Sequence, residues 1–181
     1  MNGKLLVLAL WLLVGTDVEA EDLDVWTEVR KEDLYFLVQR NWNSTTVGDC
    51  VFMKRTGNAD DSKKTMQVGM GWRTDSSTYV SAGTYTVSAQ GSMLTITSST
   101  DEAGSGAVTY QMVGTDGNGC NILKRTEKTG DRCDMWVKAS AANGGLSDCK
   151  DKFGEVCSPD VVEEPNRQNC GTPEVAPATS E

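Results

Sequence analysis

Residues 130–140 read GDRCDMWVKAS. Gly130 and Asp131 are turn-formers, and from Cys133 the run reads as a short strand. Successive side chains of a strand point to opposite faces. Cys133, Met135 and Val137 therefore share one face, and Asp134, Trp136 and Lys138 share the other. A charge turned toward an enclosed interior needs a cation or hydrogen-bond donors, because isolated burial of a carboxylate costs several kcal/mol. The fold follows from which of these two faces is the inner one.

Upstream of this stretch the period is two almost throughout. Segments 34–42 (LYFLVQRNW), 50–55 (CVFMKR), 65–73 (TMQVGMGWR), 84–90 (TYTVSAQ), 93–98 (MLTITS), 108–114 (VTYQMVG) and 121–125 (NILKR) read as strands, with 133–139 as the eighth. Turn-rich connections such as TGNADDSKK, TDSSTYVSAG, STDEAGSG and GTDGNG separate them. Eight short strands with little helix between them predict an all-β, up-and-down antiparallel barrel or a sandwich. Before them, EDLDVWTEVRKED (21–33) carries Leu23, Trp26 and Val29 three apart behind a capping Asp24, a short amphipathic helix. After them, Leu146, Cys149, Phe153 and Cys157 fall on one helical face. A helix whose apolar stripe holds two cysteines must be stapled to a neighbour. A barrel with this helix lying on its outside satisfies every feature.

The first twenty residues, MNGKLLVLALWLLVGTDVEA, read as a secretory leader: Lys4, the apolar run Leu5–Val14, and a Val18-Glu19-Ala20 cleavage site. That run is too short for a bilayer core of about 30 Å. The expected organisation is a leader over 1–20, one secreted extracellular domain over 21–170, and a disordered tail over 171–181. The net charge is −9, and −8 without the leader, which argues against nucleic acid or an anionic membrane as partner. There is no histidine, so histidine-based triads, histidine general bases and histidine-ligated metals are excluded. Six cysteines behind a leader predict three disulfides and no metal site or cofactor. Asn43-Ser44-Thr45 is an N-glycosylation sequon.

The order of DVW (24–26), YFLVQRNW (35–42), DCVFM (49–53), CNIL (120–123), CDMWV (133–137), CKDKF (149–153) and a late Cys170 resembles the tick salivary lipocalins of the histamine-binding protein family. Asp134-Met135-Trp136 stands where that family commonly has Glu-Leu-Trp. The resemblance implies a lipocalin barrel and the pairings Cys50–Cys149, Cys120–Cys170 and Cys133–Cys157. With Cys133 tied to the outer helix, Asp134 and Trp136 turn into the lumen.

The family position aligned with Trp42 carries an aromatic that faces the ligand. Alternation would then group Phe36, Val38 and Arg40 with it on the inner side. Arg40 can pair with Asp134, receive a ligand carboxylate, or stay solvated at the mouth. Met66, Val68, Met70 and Trp72 share one face of the third strand, as adaptable pocket wall or plain packing. The candidate ligand-binding residues are Trp42, Asp134 and Trp136, then Phe36, Arg40 and Tyr110.

Histamine-holding members carry several inward carboxylates. Here Thr45 occupies one such position, residues 76–100 hold no Asp or Glu, and Asp134 remains, joined at most by Asp33. The expected function is stoichiometric capture by a monomer, not catalysis, of a host mediator: a biogenic amine such as histamine or serotonin. The alternatives are a lipid mediator or sterol, or a protein-binding immune modulator that uses the barrel as scaffold.

Overall fold

A computed structural model describes residues 23–31, 34–43, 48–75, 77–98, 106–127, 131–158, 163–165 and 169–174. The expected leader, Asp33 and Thr45 lie outside these residues. Eight strands follow in order: β1 (Leu34–Arg40), β2 (Asp49–Arg55), β3 (Thr65–Arg73), β4 (Tyr79–Gln90), β5 (Met93–Ser98), β6 (Val108–Thr115), β7 (Cys120–Arg125) and β8 (Cys133–Lys138). Each pairs antiparallel with the next and β8 returns to β1, closing the barrel. Helix α1 (Val25–Val29) precedes the strands and α2 (Ser147–Val156) follows them. Of the barrel and the sandwich that the alternation allows, this is the up-and-down barrel, as the family resemblance implies.

Asp24 caps α1 by accepting the Trp26 backbone N–H, as its position before the apolar triplet requires. The helix buries Val25, Trp26 and Val29 against one end of the barrel. Val25 N–H donates to Gly91 O in the β4–β5 turn, and the Trp26 indole donates to Asp61 in the β2–β3 connection. That end is therefore plugged. The other end, the mouth, is where β1, β3, β5 and β7 finish and β2, β4, β6 and β8 begin.

Two apolar layers sandwich the wall. The inner one joins Tyr35, Leu37, Met53, Met66, Val68, Val87, Leu94, Met112, Leu123 and Trp136, with Met70, Tyr85 and Tyr110 packed against them. The outer one lies under α2, where Phe153 and Cys149 meet Val38, Ile122, Met135 and Val137. Full burial of Phe153 contributes about 1.5–3 kcal/mol.

The first strand departs from the expected phase. Its rungs with β8 run Phe36↔Val137 and Leu37↔Trp136, then slip at a bulge to Gln39↔Met135 and Arg40↔Asp134. The bulge absorbs one residue, so alternation counted back from Trp42 fails below it. Tyr35 and Leu37 are the lumen residues. Phe36 lies outside with Cys50, Phe52 and Ala142, beside a cleft of about 140 Å³ under Cys170, and Val38 lies under α2. β4 also starts earlier than its turn-like TDSSTYVSAG sequence suggests, because a bulge at Ala82 lets Tyr79–Ser81 pair with Gly71–Arg73. Gly71 makes that pairing possible: a Cβ there would sit 2.1 Å from Val80 O.

Cys133 bonds to Cys157, but the other two disulfides are Cys50–Cys170 and Cys120–Cys149, not the expected Cys50–Cys149 and Cys120–Cys170. The reason is which stretch of wall α2 covers. Its buried face packs on β7 and β8, so Cys149 meets Cys120 at the start of β7. The segment after α2 then crosses β1, where Glu163 bridges Arg40, and brings Cys170 to Cys50 on β2. In the chain-entropy model each disulfide adds about 3–5 kcal/mol.

Candidate functional site

Asp134 faces the lumen at the mouth and is only 4% exposed. The orientation follows from its neighbours: Cys133 and Met135 are held under α2, so the residue between them must point inward. Its Oδ1 accepts the Trp42 indole N–H at 2.9 Å. Among the described residues this is the one hydrogen bond given to the carboxylate. Burial pushes its pKa up to about 6, although the Trp42 bond and the charges of Arg40, Arg125 and Arg132 act the other way.

Trp42 stands just past β1, between two cations. The Arg40 guanidinium lies 5.0 Å from the ring centroid and that of Arg132 5.3 Å. Such contacts are worth about 0.5–2 kcal/mol each, more as water is excluded. Arg40 occupies the rung opposite Asp134, but its partner is Glu163, which accepts Nε at 2.8 Å and Nη2 at 2.7 Å. Two backbone hydrogen bonds join the same residues, at 2.9 and 2.8 Å. Of the roles open to Arg40, pairing with Asp134 is thus pre-empted by a carboxylate from the C-terminal segment. β2 pairs with β1 only along Leu34–Phe36, which leaves the upper edge of β1 free to take this extra rung.

Across the mouth, Arg125 lies over the Tyr110 ring at 5.9 Å and reaches Glu127 at 3.1–3.2 Å. Its buried Nε–H has no hydrogen-bond partner among the described residues. Burial first, then the charge of Asp134, raises the Tyr110 pKa above its ordinary value, so the phenol keeps its proton. Below this layer lie Trp136 and, on the rung opposite it, Asn121. Asn121 is 1% exposed, and its buried Oδ1 has no hydrogen-bond partner among the described residues.

The structure therefore brings together Trp42, Asp134, Arg40 and Tyr110, places Trp136 on the lumen wall beneath them, and leaves Phe36 outside. Arg125, Arg132, Asn121 and Glu163 do not stand out in the sequence. For Arg125 and Asn121 a signal was present. Cys120 points outward, so alternation from it turns Asn121, Leu123 and Arg125 inward. Asn43 is exposed on the rim beside Trp42. Among the described residues no cluster of His, Cys, Asp and Glu could hold a metal ion, and no helix is long and apolar enough to cross a membrane.

The barrel has close structural counterparts. AM182, solved as a serotonin complex, aligns over 83% of this chain and 94% of its own, with a TM-score of 0.65 and 16% identity. Japanin from Rhipicephalus appendiculatus, bound to cholesterol, aligns over 76% and 95%, with a TM-score of 0.56 and 17% identity. LTBP1, in complex with LTC4, aligns over 76% and 83%, with a TM-score of 0.50 and 14% identity. At such identities the likeness establishes the fold, and the sequence establishes the rest. Residues 17–171 match the family described as tick histamine binding protein, and the chain belongs to that family of ligand-binding lipocalins.

Proposed function

We propose that this lipocalin captures a small amphipathic host mediator whose acidic head lies among Arg125, Tyr110, Trp42 and Asp134 and whose apolar body fills the lumen. The donor left open in the mouth carries the reading, since Glu163 and Glu127 already balance the charges of Arg40 and Arg125. Asp134 is the one carboxylate on the inner face of β8, and three guanidiniums act on it. The unpartnered Nε–H of Arg125 is a donor available to an incoming acid. The inner wall is apolar and rich in methionine (Met53, Met66, Met70 and Met112), which suits a long flexible chain. Asn121 offers that chain a hydroxyl contact. It lies four residues along β7 from Arg125, about 13 Å. The protein acts stoichiometrically, as a monomer secreted with saliva and glycosylated at Asn43.

An amine ligand is the second reading. Asp134 faces the lumen with two indoles near it, an arrangement that suits an ammonium, and AM182 holds serotonin.

Proton linkage separates the two. A ligand carboxylate beside Asp134 raises its pKa further, so binding near pH 6 takes up protons; an ammonium lowers it, so binding releases them. Titration calorimetry at pH 6 in buffers of different ionisation enthalpy, with a hydroxylated long-chain fatty acid and with serotonin, reads the sign directly. The expected result is fatty-acid binding with proton uptake. Serotonin binding with proton release, and no binding of the acid, would overturn the acidic-head assignment. No binding of either, with no small molecule copurifying, would overturn capture.

A further inference from the structure

We infer that Asn41 is a positioning residue: without touching the ligand, it fixes Trp42 and Arg132 over Asp134 and thereby sets the affinity of the mouth. The inference rests on the assignment of the ligand's polar end to the Trp42–Asp134 cluster.

Asn41 is buried, 8% exposed, in a part of the chain where regular pairing has ended. The last β1–β8 rung is Arg40↔Asp134. One residue further the side chain takes over. Asn41 N–H donates to Cys133 O at 3.3 Å, and Asn41 Oδ1 accepts the Cys133 N–H at 2.7 Å. Main chain and side chain together imitate one more rung of the ladder. The Nδ2 group donates twice more, to Asp131 O at 2.7 Å and to Ser158 O at 3.0 Å. One amide thus ties the end of β1, the β7–β8 connection and the segment after α2.

Two residues of the cluster hang from these bonds. Trp42 follows Asn41 directly. Arg132 lies between Asp131 and Cys133, both of which Asn41 holds. The two side chains that stack on each other over Asp134 are therefore registered by a single neighbour. The chemistry also explains the residue type. The site needs two N–H donors and one acceptor in one short planar group, which asparagine supplies. Aspartate cannot donate, and serine is too short to reach three segments. Removing the amide leaves two carbonyls and an N–H to find other partners, so the rim relaxes and the indole loses its fixed approach to the carboxylate.

The Trp42 indole N–H resonance in an ¹⁵N-correlated NMR spectrum, assigned by its loss in Trp42→Phe, reports this geometry without any ligand. Arg40 from β1, Arg125 from β7 and Arg132 from the β7–β8 connection also act on Asp134, so their variants calibrate the signal. Asn41→Ala should move the resonance toward that of an exposed indole and weaken binding of the probe 1-anilinonaphthalene-8-sulfonate by about tenfold. Phe153→Leu, a lesion on the outer face, should lower Tm while leaving both readings in place. If Asn41→Ala does not fold, Asn41→Ser, which retains an acceptor, should show the same changes at smaller size. An unmoved indole resonance and a Kd within about twofold of wild type, at a lowered Tm, would reduce Asn41 to a purely structural role and overturn the inference. Should the assignment of the ligand to the mouth fail instead, the calorimetry shows it, while the indole resonance still decides the role of Asn41.

Discussion

Replacing Asp134 by asparagine should stabilise the ligand-free protein at neutral pH. In the folded barrel the carboxyl titrates at about 6, against an ordinary value of 3.8, because burial outweighs the help of Trp42 and three arginines. The folded state therefore holds the proton more tightly than the unfolded chain between these two values. For a raised acid, stability falls as pH rises through that window, and the cost is fully present above about 6. The shift corresponds to about 3 kcal/mol. Asparagine is nearly isosteric, and its Oδ1 can still accept the Trp42 indole N–H, so Asp134→Asn removes the charge and little else. Urea unfolding of both proteins at pH 4 and pH 7.5 measures the difference. Because the unfolded carboxyl is already more than half ionised at pH 4, the pH-dependent part of the gap should grow by about 2 kcal/mol in favour of the variant from the lower to the higher pH. Taking the gap cancels the exposed Asp60 and Asp75, whose hydrogen-bonded carboxyls are shifted down and run the opposite way. A gap that stays flat, or turns in favour of the aspartate at pH 7.5, would refute the claim that burial dominates at this carboxylate. The mouth then carries an ionised Asp134 that the arginines fully compensate. Ligand affinity provides the complementary reading: an amine ligand should lose binding in the variant, whereas an acid ligand should bind as well or better.

Three further outcomes follow from the same geometry. Arg125→Gln removes a partly unpartnered donor from the lumen, and calorimetry should find fatty-acid affinity lowered about tenfold or more with serotonin affinity unchanged or raised. Glu163→Gln takes the ionic partner from Arg40 and leaves that guanidinium to act on Asp134 alone. The pH midpoint of the Trp42 indole resonance should then move below 6, and an unchanged midpoint would mean Arg40 does not swing. Asn121→Leu removes a buried amide whose Oδ1 has no partner among the described residues, so Tm should rise in the absence of ligand, by the equivalent of about 1–3 kcal/mol. The same variant should lose discrimination between a hydroxylated fatty acid and its plain counterpart.

How far the sequence reaches depends on where phase information survives. GDRCDMWVKAS is read correctly because Cys133 marks the outer face and β8 carries no bulge, so Asp134 and Trp136 follow by counting. The same logic run from Cys120 turns Asn121, Leu123 and Arg125 inward, and the first two meet β8 across regular rungs, Asn121↔Trp136 and Leu123↔Asp134. β1 has no such marker. Its phase counted back from Trp42 is cut by the bulge at Val38, which sends Phe36 outside and seats Tyr35 and Leu37 in the lumen. The disulfide exchange has a related cause. The helical face of Cys149 and Cys157 is visible in the spacing, but the wall it covers is a matter of how α2 lies across β7 and β8. The partner of Arg40 is further from reach still, since Glu163 is 123 residues away and arrives on a segment without periodicity. A cysteine bonded to an outer helix is therefore worth more to a sequence reading than an aromatic at the mouth: it fixes the face of its own strand, and the rungs carry that phase sideways to the next strand. Counting along a strand carries phase only as far as the first bulge. The lumen of this barrel is best read outward from β7 and β8, and the acidic-head assignment stands on those two strands.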